Sequence, residues 1–206
     1  VPDQLIRELE GRWSRPFVTE GDPFAVEIAI VGLNPATPIS PAECPLEAYG
    51  QLLTKRSAFE ALYRRLRVAK GKSSTSPTRK RLSQLIEAYA QFRVAETNSN
   101  AFPTKDSAEL QRSPVRSIGA QIATDYLSSL RPVMVIVHGD EAKQALLDHR
   151  FLEYGPVDLC SGPFHKFGDA KWMGRPIRCL LIPHLASRAK GWDGPQIAQI
   201  VARCRP

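Results

Sequence analysis

The chain has 206 residues, 43% of them hydrophobic, which suits one sizeable core and a single domain over residues 1–206. Its 28 Lys and Arg outnumber 21 Asp and Glu; the formal charge of +7 favours polyanionic partners through phosphate contacts and counterion release. No apolar run approaches the roughly 18 residues of a spanning helix, the opening VPDQLIRELEGRW lacks a signal peptide's apolar block, and Cys44, Cys160, Cys179 and Cys204 form no Cys-x-x-Cys pair. The expectation is a cytoplasmic, monomeric protein with no membrane attachment, no metal and no cofactor, its thiols reduced.

In chain order, residues 1–24 read as a helical or extended extension. Val26 to Val31 is an apolar strand that stops at Gly32, where "GLNPA" begins, and the Pro-rich "NPATPISPAECP" reads as a loop over the sheet edge. "SAFEALYRRLRVA" has Phe59, Leu62 and Leu66 at helical spacing. The basic, Ser- and Pro-punctuated Lys70 to Arg81 reads as a mobile loop whose charges suit a phosphate backbone. A helix carrying Leu82, Leu85, Ile86 and Tyr89 follows, then a strand from Phe92 to Thr97 ending in "NSNAFPT". Ser117 to Leu130 places Ile118, Ile122, Tyr126 and Leu130 on one helix face; Val133 to Val137 is a strand ending in "HGDEA". "SGPFHKFGDAKW" reads as a turn with His165 at the surface, and Ile177 to Ile182 is a strand ending in "PHLASR".

Strand alternating with helix predicts an α/β fold: a three-layer α/β/α domain with a central four-stranded, mostly parallel sheet. In such sheets ligands bind beyond the carboxyl ends of the strands. Asn34, Asn98, His138 with Asp140, and His184 with Ser187 would then project toward one edge.

The order and content of these strand ends resemble the uracil-DNA glycosylase superfamily, closest to its mismatch-specific uracil and thymine-DNA glycosylase branch. "GLNPA" (Gly32 to Ala36) is similar to that branch's Gly-Ile-Asn-Pro-Gly. "TNSN" (Thr97 to Asn100) looks like its second strand end, and "PHLASR" (Pro183 to Arg188) is similar to Asn-Pro-Ser-Gly-Leu-Ser-Arg. The resemblance covers roughly residues 26 to 192. The chain departs from it at Ile182, where the family commonly has His or Asn, at His184 in place of a serine, and at Ala36 after Asn-Pro.

The resemblance implies a metal-independent, monofunctional DNA glycosylase acting in base excision repair. Breaking the sugar–base bond leaves positive charge on the sugar and negative charge on the base. Asn34 would hold the attacking water by its amide oxygen, positioning it rather than deprotonating it. Gly32, Leu33, Pro35 and Ala36 would form the turn against the base. Asn98, with Asn100 as rival, offers the donor and acceptor that match the O4 and N3–H edge of uracil or thymine. His184 either stabilises the leaving base or leaves that role vacant, and His138 reads as structural. Phe59 is a candidate to stack on the extruded base, against the alternative of core packing. Leu185 and Arg188 are candidate wedges for base flipping, Ser187 and Lys190 candidate phosphate contacts, and Trp192 a packing residue. The partner would be damaged or mismatched DNA. Two alternatives remain: a binding domain of the same fold without catalysis, which Ile182 favours, and a hydrolase of free nucleosides.

Overall fold

The computed structural model describes residues 5–162, 165–186 and 194–206. It is a mixed α/β structure whose main sheet has seven strands, not four. A short hairpin, β1 (Glu8–Leu9) and β2 (Arg12–Trp13), precedes β3 (Phe17–Thr19) and β4 (Ile28–Gly32). Helices α1 (Leu46–Leu53), α2 (Arg56–Ala69) and α3 (Pro77–Ala88) lead to β5 (Val94–Asn98). Next come α4 (Ser107–Arg112), α5 (Arg116–Ser129), β6 (Met134–His138) and α6 (Asp140–Asp148). The chain closes with β7 (Leu152–Gly162), β8 (His165–Trp172), β9 (Arg175–Ile182) and α7 (Gly194–Arg203).

The sheet order is β3-β5-β4-β6-β9-β8-β7. Its centre, β5-β4-β6-β9, is parallel throughout and consists of the four strands legible as apolar runs. The additions are antiparallel: β3 flanks β5, and the β7–β8 hairpin extends β9. Residues 5–24 are thus no loose extension, because they supply an edge strand of the sheet.

Alternation along the central strands feeds two apolar clusters, as expected when both faces of a parallel sheet are covered. Ala29, Val31, Val135 and Val137 join residues of α2, α5 and α6 in one; Ile28, Ile30, Met134 and Ile136 join residues of α3 and α7 in the other. In α5, Ile122 and Tyr126 are buried as expected, as is Leu130 just past its end, whereas Ile118 is exposed. Cys44, Cys179 and Cys204 are buried. No described helix is long and apolar enough to cross a membrane.

The segment read as a mobile loop is shorter than expected. Pro77 takes the first position of α3 and the Ser76 hydroxyl accepts the Arg79 backbone N–H, which places the helix start well before Leu82. Arg79 is buried and Arg81 donates to the Leu185 carbonyl, so neither trails free for a phosphate backbone. His165 lies on β8 and is buried, not in a surface turn.

Candidate functional site

The register of the parallel strands explains why their polar ends meet. Gly32 pairs with Asn98, Val31 with Val137, and His138 with Ile182. All four strands therefore finish on one row: Asn98, Gly32, His138, Ile182. In-register residues of a parallel sheet project from the same face, and the missing side chain at Gly32 lets the Asn98 and His138 side chains close in over it. A Cβ at Gly32 would lie 2.6 Å from His138 Nε2 and 2.9 Å from Asn98 Oδ1.

Backbone approach to a ligand is not what selects glycine here, since Gly32 does not itself line the cleft and its φ is not positive. Both neighbours are buried and have little room to retreat. Gly32→Ala is expected to lower stability by about 1–3 kcal/mol through overpacking and to disorder the site. An unchanged urea midpoint would contradict this.

Above the row lies a cleft of about 420 Å³. Leu33, Asn34, Pro35 and Ala36 line it, together with Asn98, His138 and His184. Of the polar groups expected to converge, Asn34, Asn98, His138 and His184 do so; Asp140 does not line this cleft, and Ser187 lies outside the described residues. The turn after β4 is stitched to the loop after β5: Ser99 N–H donates to the Gly32 carbonyl (2.8 Å), Asn100 N–H to Leu33 (2.9 Å) and Thr104 N–H to Pro35 (3.1 Å). Thr37, β-branched yet held at φ 61°, closes the turn.

Asn34 is oriented by a residue that sequence reasoning overlooked. Its Nδ2 donates to Thr104 Oγ1 at 2.5 Å, and that hydroxyl donates onward to the Asp106 carbonyl at 2.8 Å. With its proton committed, Thr104 can only accept, which fixes the amide and leaves Asn34 Oδ1 without a donor among the described residues. Thr104→Val is expected to slow any reaction that depends on this amide by roughly tenfold, the worth of one hydrogen bond, while the fold persists. Parallel rate and melting measurements check it.

The two asparagines after β5 separate cleanly. Asn100 is consumed by backbone, its Nδ2 donating to Arg116 O and its Oδ1 accepting from Phe102 N–H, both at 2.9 Å. Asn98 faces the cleft. Phe59 does not: it is wholly buried, because its helical spacing with Leu62 and Leu66 turns it inward, and the Arg15 guanidinium sits 5.2 Å from its ring centroid. Leu185 is likewise fully buried in the cluster of α3 and α7, so in this conformation it is no wedge. Ser187, Arg188, Lys190 and Trp192 lie outside the described residues.

The cleft wall also holds an unexpected charge cluster. Buried Glu96 on β5 forms a two-pronged ion pair with buried Arg79 on α3. Arg15, also buried, donates to the Ala36 carbonyl at 2.5 Å, and its Nε has no partner among the described residues. Burial alone would raise the Glu96 carboxyl, but Arg79, Arg15 and Arg56 more than offset it and hold it below the ordinary range. Glu96 stands mid-strand in "VAETN", every residue of which is buried, and a buried carboxylate calls for a buried cation.

His184 is exposed at the mouth, its Nδ1 accepting the Ala186 backbone N–H at 3.2 Å; the neutral ring therefore carries its proton on Nε2. Desolvation lowers its pKa against the opposing pull of Glu141. Burial, then His184, drives His138 down to about 3, with Glu96 opposing. The unfolded chain thus binds more protons than the folded one between about pH 6.5 and 3, and protonating Glu96 adds to the loss at the acid end. Thermal stability should fall as pH drops through this window. His138→Asn should flatten the fall between pH 6.5 and 5; an identical slope in the variant would contradict the assignment.

Searches against protein-family models and curated proteins find no match to this chain.

Proposed function

We propose that the protein is a DNA glycosylase that hydrolyses the bond between deoxyribose and uracil, or a related deaminated or mismatched base, on a three-layer α/β/α domain. The observation that carries this reading is the single cleft, at the carboxyl edge of the parallel strands, onto which Asn34, Asn98 and the imidazoles open together. A volume of about 420 Å³ falls in the range of pockets that enclose a small molecule.

In this reading the extruded pyrimidine enters the cleft with its edge against the Asn98 amide, which presents both a donor and an acceptor. Asn34, held by Thr104, directs its free oxygen at the water that attacks the sugar carbon. An amide is a weak base, but a sugar carbon with cationic character needs a positioned nucleophile more than a deprotonated one. A cleft imidazole meets the charge on the departing base. The overall charge of +7 favours an anionic polymer.

The experiment is a lesion panel: single- and double-stranded oligonucleotides carrying uracil, hypoxanthine, xanthine or a G·T mismatch, with abasic sites cleaved by alkali. Product from a uracil or mismatch strand is expected. Salt-sensitive binding with no product from any strand would identify a binding domain instead, and turnover confined to free deoxyuridine a nucleoside hydrolase.

A further inference from the structure

We propose that His138, rather than His184, supplies the hydrogen bond that receives negative charge on the departing base. This assignment rests on the base-excision reading above.

Three observations place His138 against the base. It ends β6 on the same row as Asn98, and its Nε2 and Asn98 Oδ1 both lean over Gly32, toward the point a side chain there would occupy. Whatever edge Asn98 reads, His138 is within reach of the neighbouring atoms. The ring lines the cleft while being buried, and its Nδ1 has no hydrogen-bond partner among the described residues. A buried polar atom without a partner, in a ring that lines a cleft, is one that a bound ligand can satisfy. Finally, its partner in register is Ile182, whose apolar side chain sits in the core, so the strand end beside it offers no competing donor.

His184 is placed less well. Its ring centroid lies 5.5 Å from that of His138 on the exposed side, and its Nδ1 is engaged by Ala186. A donor at the mouth works against water, whereas one in a buried wall acts in a lower dielectric.

The chemistry balances without an acid. The sugar–base bond breaks with its electron pair going to the base, whose carbonyl oxygens share the charge. Neutral His138 donates one N–H to that system and keeps its proton. Water bonds to the sugar carbon, and the proton it sheds passes through solvent to the released base. The groups that would perturb His138 are Glu96 from β5 and the His184 ring, with Glu141 of α6 facing His184 in turn.

The test is single-turnover base release by wild type, His138→Leu, His138→Asn and His184→Gln between pH 5 and 8, with affinity for an abasic-site oligonucleotide measured alongside. His138→Leu should lose about 100- to 1,000-fold in rate with abasic affinity within threefold. His138→Asn, which restores a donor, should recover part of the loss, and His184→Gln should lose at least tenfold less than His138→Leu. The wild-type rate should stay level from pH 8 to 5, because a ring this far depressed remains neutral throughout. A larger loss at His184 than at His138, or a rate titrating near pH 6.5, would overturn the assignment. Should wild type release no base, imidazole nitrogen resonances are followed by NMR as free uracil is added. Perturbation of His138 would uphold its contact with the base while the excision reading fails; silence at His138 would overturn this assignment too.

Discussion

Asn34→Ala is expected to reduce base release at least about 100-fold while leaving DNA affinity and the melting temperature close to wild type. The reasoning is geometric. Asn34 is half-buried on a turn tied to the Ser99–Thr104 loop by three backbone hydrogen bonds, so truncating its side chain leaves the scaffold in place. What disappears is the oxygen that orients water, and losing the alignment of a nucleophile costs on the order of 100-fold even for small displacements. Single-turnover rates with a saturating uracil strand isolate this step from binding. Asn34→Asp is informative beside it. A carboxylate there keeps an acceptor for the water but offers nothing to Thr104, so its rate should fall between those of alanine and asparagine.

The largest expected loss of stability comes from the charge cluster, and it is asymmetric. Glu96 lies among three arginines: its ion-pair partner Arg79, and Arg15 and Arg56, which also act on it electrostatically. Removing one partner of a buried pair costs about 3–5 kcal/mol because the other charge is left uncompensated. Arg79→Met would leave Glu96 with two cations nearby; Glu96→Gln would strand three guanidinium groups on or beside the cleft wall. Glu96→Gln should therefore be the more destabilising, a sizeable fraction of the 5–15 kcal/mol typical of a domain. Urea denaturation of the two variants measures this, and equal midpoints would mean that Arg15 and Arg56 do not lean on the carboxylate.

How far the sequence disclosed this architecture depends on what each segment buries. The two central strands β4 and β6 are buried along their whole length, which makes them continuous apolar runs, "IAIV" and "MVIV", and therefore easy to find. β8 hid because its HKFGDAKW mixes exposed lysines and an aspartate with buried positions and contains a glycine, a composition shared with turns. β3 is three residues long, too short for any period to emerge. At the site, the convergence of strand ends was legible because it follows from parallel topology alone. The choice between Asn98 and Asn100 was not, since both follow the same strand and only the tertiary position of Arg116 and Phe102 claims one of them. Phe59 belongs to the core for the reason its helical spacing gave. Thr104 and Arg15 carry no local signature: each acts through a neighbour 70 or 21 residues away in the chain. Nothing local in the sequence sets His138 apart from a structural histidine; its unpartnered nitrogen and its place on the cleft wall exist only in three dimensions.

The central claim is that one hollow, bounded by Asn34, Asn98 and His138, receives a single pyrimidine. A crystal structure of the Asn34→Ala variant with a uracil-containing oligonucleotide tests it most directly. The account predicts the uracil ring in this cleft, its edge on the Asn98 amide and an imidazole nitrogen of His138 within hydrogen-bond distance of a base oxygen. A base bound elsewhere, with this cleft occupied only by solvent, would contradict it.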